Sequence, residues 1–180
     1  PTIRGIIIPS PEDLQSIISN HYPNTDDKIT YCKPGKTRAE SVANAIKVMP
    51  NTATHILIHD AARPNVSPLL MDRILEALNK HTVVIPGVPV TDTIKKVTNN
   101  TIQHTVDRSD LIAVQTPQGF DYKALQNAYT QTEDITAFTD EASLLEHNGV
   151  FGHIVAGDPK NIKLTHPSDL DVLKTFITAR

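Results

Sequence analysis

His55-Ile56-Leu57-Ile58-His59-Asp60-Ala61-Ala62-Arg63-Pro64 reads as a short aliphatic strand running into a charged turn, and Ser67-Pro68 then opens a helix that carries Leu70, Ile74 and Leu78. A hydroxyl cap, a proline at the first helical position and apolar residues at helical spacing are the marks of a helix start. The pattern repeats toward the N-terminus. Arg4 to Pro9, with three consecutive isoleucines, has the composition of a strand buried on both faces. Ser10-Pro11-Glu12-Asp13 offers a cap, a first-turn proline and acids at a helix start, followed by Leu14, Ile17 and Ile18. Lys28 to Tyr31 reads as a second strand. After the loop Lys33-Pro34-Gly35-Lys36, Thr37-Arg38-Ala39-Glu40 forms a capping box ahead of the stripe Val42, Ala45, Ile46 and Met49. Three strand-helix units in succession predict an α/β fold with a mainly parallel sheet and helices on both faces.

Toward the C-terminus the pattern changes before it resumes. Thr82 to Ile85 is a further core strand, but Asp92 to Val106 reads as two extended arms around the polar turn Thr98-Asn99-Asn100. Ile94, Val97, Ile102 and Val106 are too sparse to bury that hairpin, so it is expected to protrude and pack on something, such as another subunit. Leu111 to Val114 is a strand, and helices are expected from Asp121 and from Thr139, the latter ending near Gly149. Strands at Gly152 to Val155 and Asn161 to Leu164 and a helix from Pro167 complete the alternation. The expectation is one domain over residues 1–180, with 92–106 as an appendage.

Composition narrows the function. Among 180 residues, 17 Lys and Arg against 20 Asp and Glu give a net charge of -3, which argues against a dedicated nucleic-acid or anionic-membrane binder. The single cysteine, Cys32, cannot form an intrachain disulfide, and no Cys/His cluster has zinc-ligand spacing. No apolar run is long enough to span a membrane. No signal peptide is evident, so the expected compartment is the cytoplasm.

Ligands of open α/β sheets sit at the carboxyl ends of the strands. The His59–Pro64 turn there offers an acid, an arginine and small neighbours: a metal ligand and an anion clamp, or simply a surface Asp-Arg pair. Pro34-Gly35-Lys36-Thr37-Arg38 precedes a capped helix whose free N–H groups suit an anion, although it is not a Walker A loop. Lys163, amid apolar residues near an expected strand end, is either a phosphate ligand or a lysine whose stem crosses the sheet edge. Asp107-Arg108 and Thr139-Asp140-Glu141 can likewise be an ion pair and a helix cap. No Gly-x-Ser-x-Gly elbow or Cys-His pairing supports nucleophilic hydrolysis. These patterns imply an anion-handling domain and leave its reaction open.

Seven blocks taken together carry a resemblance: Gly35 to Val42 (GKTRAESV), Ile58 to Pro64 (IHDAARP), Pro89 to Lys95 (PVTDTIK), His104 to Arg108 (HTVDR), Gln115 to Phe120 (QTPQGF), Thr139 to Leu144 (TDEASL) and Asn161 to Thr165 (NIKLT). In this order the chain resembles the 2-C-methyl-D-erythritol 4-phosphate cytidylyltransferases of non-mevalonate isoprenoid biosynthesis. The related ribitol-5-phosphate cytidylyltransferases typically have valine at the Ala62 position and lack these forms of the PVTDT and TDEAS blocks. The resemblance implies a Rossmann-like nucleotidyltransferase fold and transfer of a cytidylyl group from CTP to methylerythritol phosphate, with release of pyrophosphate. It implies Mg²⁺ and the triphosphate at Asp60. Arg63, Thr93, Thr116, Thr139 and Lys163 would surround the methylerythritol phosphate, and Gly35, Ser41 and Ala61 would hold the nucleotide. Arg108 and Lys163 would orient the attacking phosphate, with residues 92–106 as a homodimerisation arm that brings Arg108 to the neighbouring subunit's site.

Two departures accompany the match. Lys36 stands where an acidic residue is common. Family members also begin with a strand and a glycine-rich loop whose arginine and lysine grip the triphosphate, and the present sequence opens at what corresponds to the next strand-helix unit, roughly fifty residues on. The expectations are therefore a cytidylyltransferase or a non-catalytic binding or dimerisation module of the same fold. These 180 residues are expected to fold but, with those two cations unavailable, to turn over at least roughly 10³-fold more slowly.

Overall fold

The computed structural model describes residues 3–22 and 28–177. The expected 1–180 span therefore has its ends, 1–2 and 178–180, outside the described residues. The chain forms two compact units, one made of residues 1–56 and 120–152, the other of residues 57–119 and 153–180.

In the first unit, β1 (Ile6–Pro9) pairs in parallel with β2 (Ile29–Cys32), joined in sequence through α1 (Glu12–His21). The expected Ser10 cap is not made. Pro11 occupies the cap position, and the Ser10 hydroxyl is buried without a hydrogen-bond partner. Helix α2 (Arg38–Lys47) begins as its sequence predicts, with the Thr37 side chain accepting from the Glu40 N–H in a complete capping box. Of its predicted stripe only Ile46 is buried. Helices α4 (Tyr122–Gln131) and α5 (Glu141–His147) pack together and bury Leu125, Ala128, Leu144 and Leu145. The α5 cap is Asp140 rather than Thr139, because the carboxylate receives the Ser143 N–H while Ser143 answers the Asp140 N–H. Gly149 ends the segment at a φ of +78°, a conformation open to glycine without strain.

The chain crosses between units within β3 (His55–Ile58) and again within β8 (Gln118–Asp121), a strand not apparent from the sequence. The five-stranded sheet runs β3-β8-β4-β7, with β9 (His153–Ala156) also paired to β4. Strand β4 (Val83–Pro89) is longer than expected, passing through Pro86. It pairs in parallel with β9 and antiparallel with β7 (Ile112–Val114), so this sheet is mixed. Helix α3 (Pro68–Ala77), capped by Ser67 as predicted, lays Leu70, Ile74 and the following Leu78 against Val84 and Val155 to form the core of the second unit. Helix α6 (Asp169–Ile177) follows the last loop.

Two expectations concerning this unit have different outcomes. The hairpin exists: β5 (Ile94–Thr98) and β6 (Thr101–Val106) pair antiparallel around Asn99 and Asn100, whose φ values of 48° and 61° suit a tight turn. Val97 and Ile102 are 52% and 60% exposed, as so sparse an apolar pattern implies. The strand expected at Asn161 to Leu164 is absent, and that segment is a loop. Its apolar residues satisfied a strand pattern, but its backbone bonds to the 59–63 turn and to side chains.

Candidate functional site

Strand β3 delivers the turn His59–Pro64, closed by the Arg63 N–H donating to the Asp60 carbonyl at 2.9 Å. This reversal leaves the Asp60 and Arg63 side chains on one side, with Arg63 Nε 4.0 Å from Asp60 Oδ2. The same oxygen is 2.9 Å from Lys163 Nζ, more than a hundred residues later in the chain. The Asp60 carboxylate is thus flanked by two cations. The arginine and aspartate side chains are only 13% and 15% exposed, whereas Lys163 is 47% exposed and free to swing toward a ligand.

Thr116 joins this group from the segment after β7. Its hydroxyl accepts the Asp60 N–H at 3.0 Å and lies 3.0 Å from His59 Nδ1. His59 Nε2 is 3.0 Å from the Arg63 carbonyl, which can only accept, so Nε2 carries the proton. Nδ1 then accepts from the threonine. Desolvation lowers the His59 pKa from its ordinary value and favours this neutral ring. Burial also lowers that of Arg63, opposed by Asp60, although a guanidinium remains charged across the physiological range.

Arg63 is pinned from behind. Its Nη1 donates to the Asn161 carbonyl at 2.8 Å, and Nη2 reaches toward the Val114 carbonyl at 3.5 Å. Its Nε is buried with no hydrogen-bond partner. Ala62 accepts the Leu164 N–H at 2.8 Å, which ties the 59–63 turn to the loop bearing Lys163. The structure therefore brings together Asp60, Arg63, Thr116 and Lys163, with Ala61 exposed in the same turn. It does not hydrogen-bond Thr93 or Arg108 into this cluster. Thr93 is exposed at the start of the hairpin, and Arg108 at its end donates to the Thr91 carbonyl.

In the other unit, Gly35 and Ser41 are joined: the Gly35 N–H donates to the Ser41 hydroxyl at 3.0 Å, and that hydroxyl donates to the Thr37 carbonyl at 3.0 Å. A side chain at residue 35 would put a Cβ 2.3 Å from the Glu40 Cβ and 2.6 Å from the Ser41 nitrogen, so the turn requires glycine. Lys36 N–H donates to Glu40 Oε2 at 2.5 Å. Thr139 is exposed just before the α5 cap. Below it, Glu141 is 2% exposed and receives Arg38 Nη1 at 2.7 Å and the Tyr129 hydroxyl at 3.1 Å. Burial and the adjacent carboxylate raise the Tyr129 pKa, keeping it a donor.

The model of the family described as IspD, 2-C-methyl-D-erythritol 4-phosphate cytidylyltransferase, matches residues 2–179. The chain belongs to this family. It is 46% identical over 142 residues to a bifunctional enzyme IspD/IspF of Nitratidesulfovibrio vulgaris, covering 77% of this chain but 36% of that protein. A 2-C-methyl-D-erythritol 4-phosphate cytidylyltransferase of Prochlorococcus marinus is 40% identical over 173 residues, covering 95% of this chain and 76% of that one. The crystal structure of 4-diphosphocytidyl-2C-methyl-D-erythritol synthase from Anaerococcus prevotii superimposes with a TM-score of 0.86 at 27% identity, covering 97% and 82% of the two chains. The chain thus spans little more than a third of the length of the bifunctional relative. The Rossmann-like nucleotidyltransferase architecture expected from the motifs is the family's.

Sequence reasoning overlooked the supports of the site. Gln115 and Asn161 stand inside the QTPQGF and NIKLT blocks, yet neither suggests a role beside its more reactive neighbours. Asn65, whose Nδ2 donates to the Lys160 carbonyl at 2.9 Å, carried no signal at all.

Proposed function

We propose that the protein carrying this chain is a cytidylyltransferase that joins CTP to 2-C-methyl-D-erythritol 4-phosphate in isoprenoid precursor synthesis. The observation that carries the reading is the Asp60 carboxylate held between Lys163 at 2.9 Å and Arg63 at 4.0 Å, in a turn of small residues beside Thr116. A phosphate arriving there exchanges the lysine's carboxylate partner for its own oxygens, and the arginine adds a second positive edge.

In the proposed reaction a phosphate oxygen of the polyol attacks the α-phosphorus of CTP. The bond from that phosphorus to the oxygen bridging to the β-phosphate breaks, and pyrophosphate leaves with the bonding electrons. The step crowds like charges together, so placement and cationic stabilisation dominate it. Lys163 and Arg108 orient the nucleophile. Arg63, Thr93, Thr116 and Thr139 hold the polyol phosphate, while Gly35, Ser41 and Ala61 border the nucleotide. For Mg²⁺ the chain offers Asp60. Among the described residues no three His, Cys, Asp or Glu side chains cluster as a metal cage. One carboxylate plus substrate phosphates is a usual Mg²⁺ donor set, so the residues fit an ion brought with the triphosphate. Bound there, it would neutralise phosphate charge.

The exposed hairpin at 92–106, ending in Arg108, supports a homodimer in which the arm of one subunit completes the site of the other. Both substrates are highly charged, which suits a cytoplasmic enzyme, and no described helix is long and apolar enough to cross a membrane. Pyrophosphate release by the full-length protein, dependent on CTP, methylerythritol phosphate and Mg²⁺, tests the reaction. Release with ribitol 5-phosphate instead would reassign the acceptor. For the dimer, mixing Arg108→Ala and Asp60→Ala subunits should restore one working site per heterodimer. No recovery in verified heterodimers would place Arg108 in its own subunit's site.

A further inference from the structure

One buried residue, through its side chain, its backbone carbonyl and the loop it stands in, joins three of the residues assigned above to the polyol phosphate. Asn161 is wholly buried, at 0% exposure. Its side-chain Nδ2 donates to the Thr116 carbonyl at 2.8 Å, and its backbone carbonyl receives Arg63 Nη1 at 2.8 Å. Two residues later the chain presents Lys163 to Asp60 at 2.9 Å. Gln115, 6% exposed, holds the same loop one turn earlier. Its Nε2 donates to the Asp158 carbonyl at 2.9 Å and reaches the Asn161 carbonyl at 3.5 Å, while its Oε1 accepts the Asp158 N–H at 3.0 Å. Gly157 leaves room for this clasp, since a Cβ there would lie 2.6 Å from Gln115 Oε1.

The Asn161 side chain is a poor choice for stability alone. Its Oδ1 is buried with no hydrogen-bond partner, a penalty that an apolar side chain of similar size would not carry. What the amide does achieve is alignment. The 157–164 loop has no strand pairing of its own, and the flexible Lys163 stem can deliver its ammonium accurately only if the backbone beneath it is fixed.

We propose that Asn161 is a positioning residue of the cytidylyl transfer: its buried side-chain amide anchors to Thr116 the loop whose backbone carbonyl holds Arg63 and which carries Lys163, without touching the ligand. This rests on the reaction proposed above. Prior ordering of the three ligands removes an entropic cost from polyol phosphate binding, and small displacements of such groups are expensive in rate.

The test uses the full-length protein and steady-state pyrophosphate release. Absence of turnover in the unaltered protein would overturn the reaction, and this inference with it. With turnover established, Asn161→Ala is expected to raise the KM for methylerythritol phosphate by roughly tenfold or more, while the KM for CTP moves by less than about twofold. Ile74→Val is the structural control. It thins the core around α3, where Ile74 is wholly buried, and should lower Tm comparably with both KM values unchanged. An Asn161→Ala enzyme that loses Tm but keeps both KM values, or raises the two equally, overturns the proposal. Should that variant fail to fold, Gln115→Met decides: a selective rise in the polyol phosphate KM supports the positioning role, and an unchanged one overturns it.

Discussion

The two groups that carry most of the assigned ligands, one around Gly35 and Ser41 and one around Asp60, are built in opposite ways. The turn from Gly35 to Ser41 closes on itself, with Gly35, Lys36, Thr37, Glu40 and Ser41 exchanging hydrogen bonds over at most six residues of sequence. The cluster around Asp60 is assembled from segments far apart in the chain: Thr116 lies 56 residues from Asp60, and Asn161 lies 98 from Arg63. A self-contained turn forms with its helix and can be altered at little cost to the rest. A cluster drawn from three segments exists only in the folded unit, and each member holds others in place.

That difference can be broken most forcefully at Asp60. Asp60→Ala removes the proposed Mg²⁺ ligand and leaves Arg63 and Lys163 without their shared carboxylate, so pyrophosphate release should fall by roughly 10³-fold or more. Turnover within about tenfold of the unaltered enzyme would mean that the distant segments do not form the reaction centre.

The local turn is also tethered at a distance. Arg38, in the first turn of its helix, reaches the buried Glu141 of α5, which also receives Tyr129. Glu141→Ala should cost about 1–3 kcal/mol in urea denaturation, because a guanidinium and a phenol lose their acceptor. A change below about 0.5 kcal/mol would show that the turn and helix α5 are energetically separate.

Gly35→Ala probes the turn itself. The new methyl must displace the Glu40–Ser41 backbone, at about 1–2 kcal/mol, and the KM for CTP should rise several-fold while that for methylerythritol phosphate stays put. A rise in the second KM instead would show the two loops acting as one. The smallest effect is expected for Thr37→Ala, which removes the helix cap for about 1 kcal/mol of stability by thermal denaturation, with kcat nearly unchanged.

The same contrast explains what could be read in advance. The Thr37–Glu40 capping box, the Ser67-Pro68 helix start, the Asn99-Asn100 turn and the Gly149 stop all appear where the sequence places them, because each depends on neighbours within a few residues. The family's motif order identified Asp60, Arg63, Thr116 and Lys163, but only as separate blocks. Ser10 was misread as a cap, since Pro11 displaced it by one residue. Residues 161–164 were misread as a strand, since apolar alternation does not reveal where backbone groups find their partners.

The sequence by itself determined the α/β alternation, the exposed arm and the residue types available for phosphate binding. These follow from periodicity, capping chemistry and charge, all local properties. Only the tertiary structure decided that one carboxylate oxygen would face both Lys163 and Arg63, and that Gln115 and Asn161 would hold them there. An asparagine or glutamine has no preferred partner until burial removes water as a competitor, so its role is written in the fold and not in its neighbours.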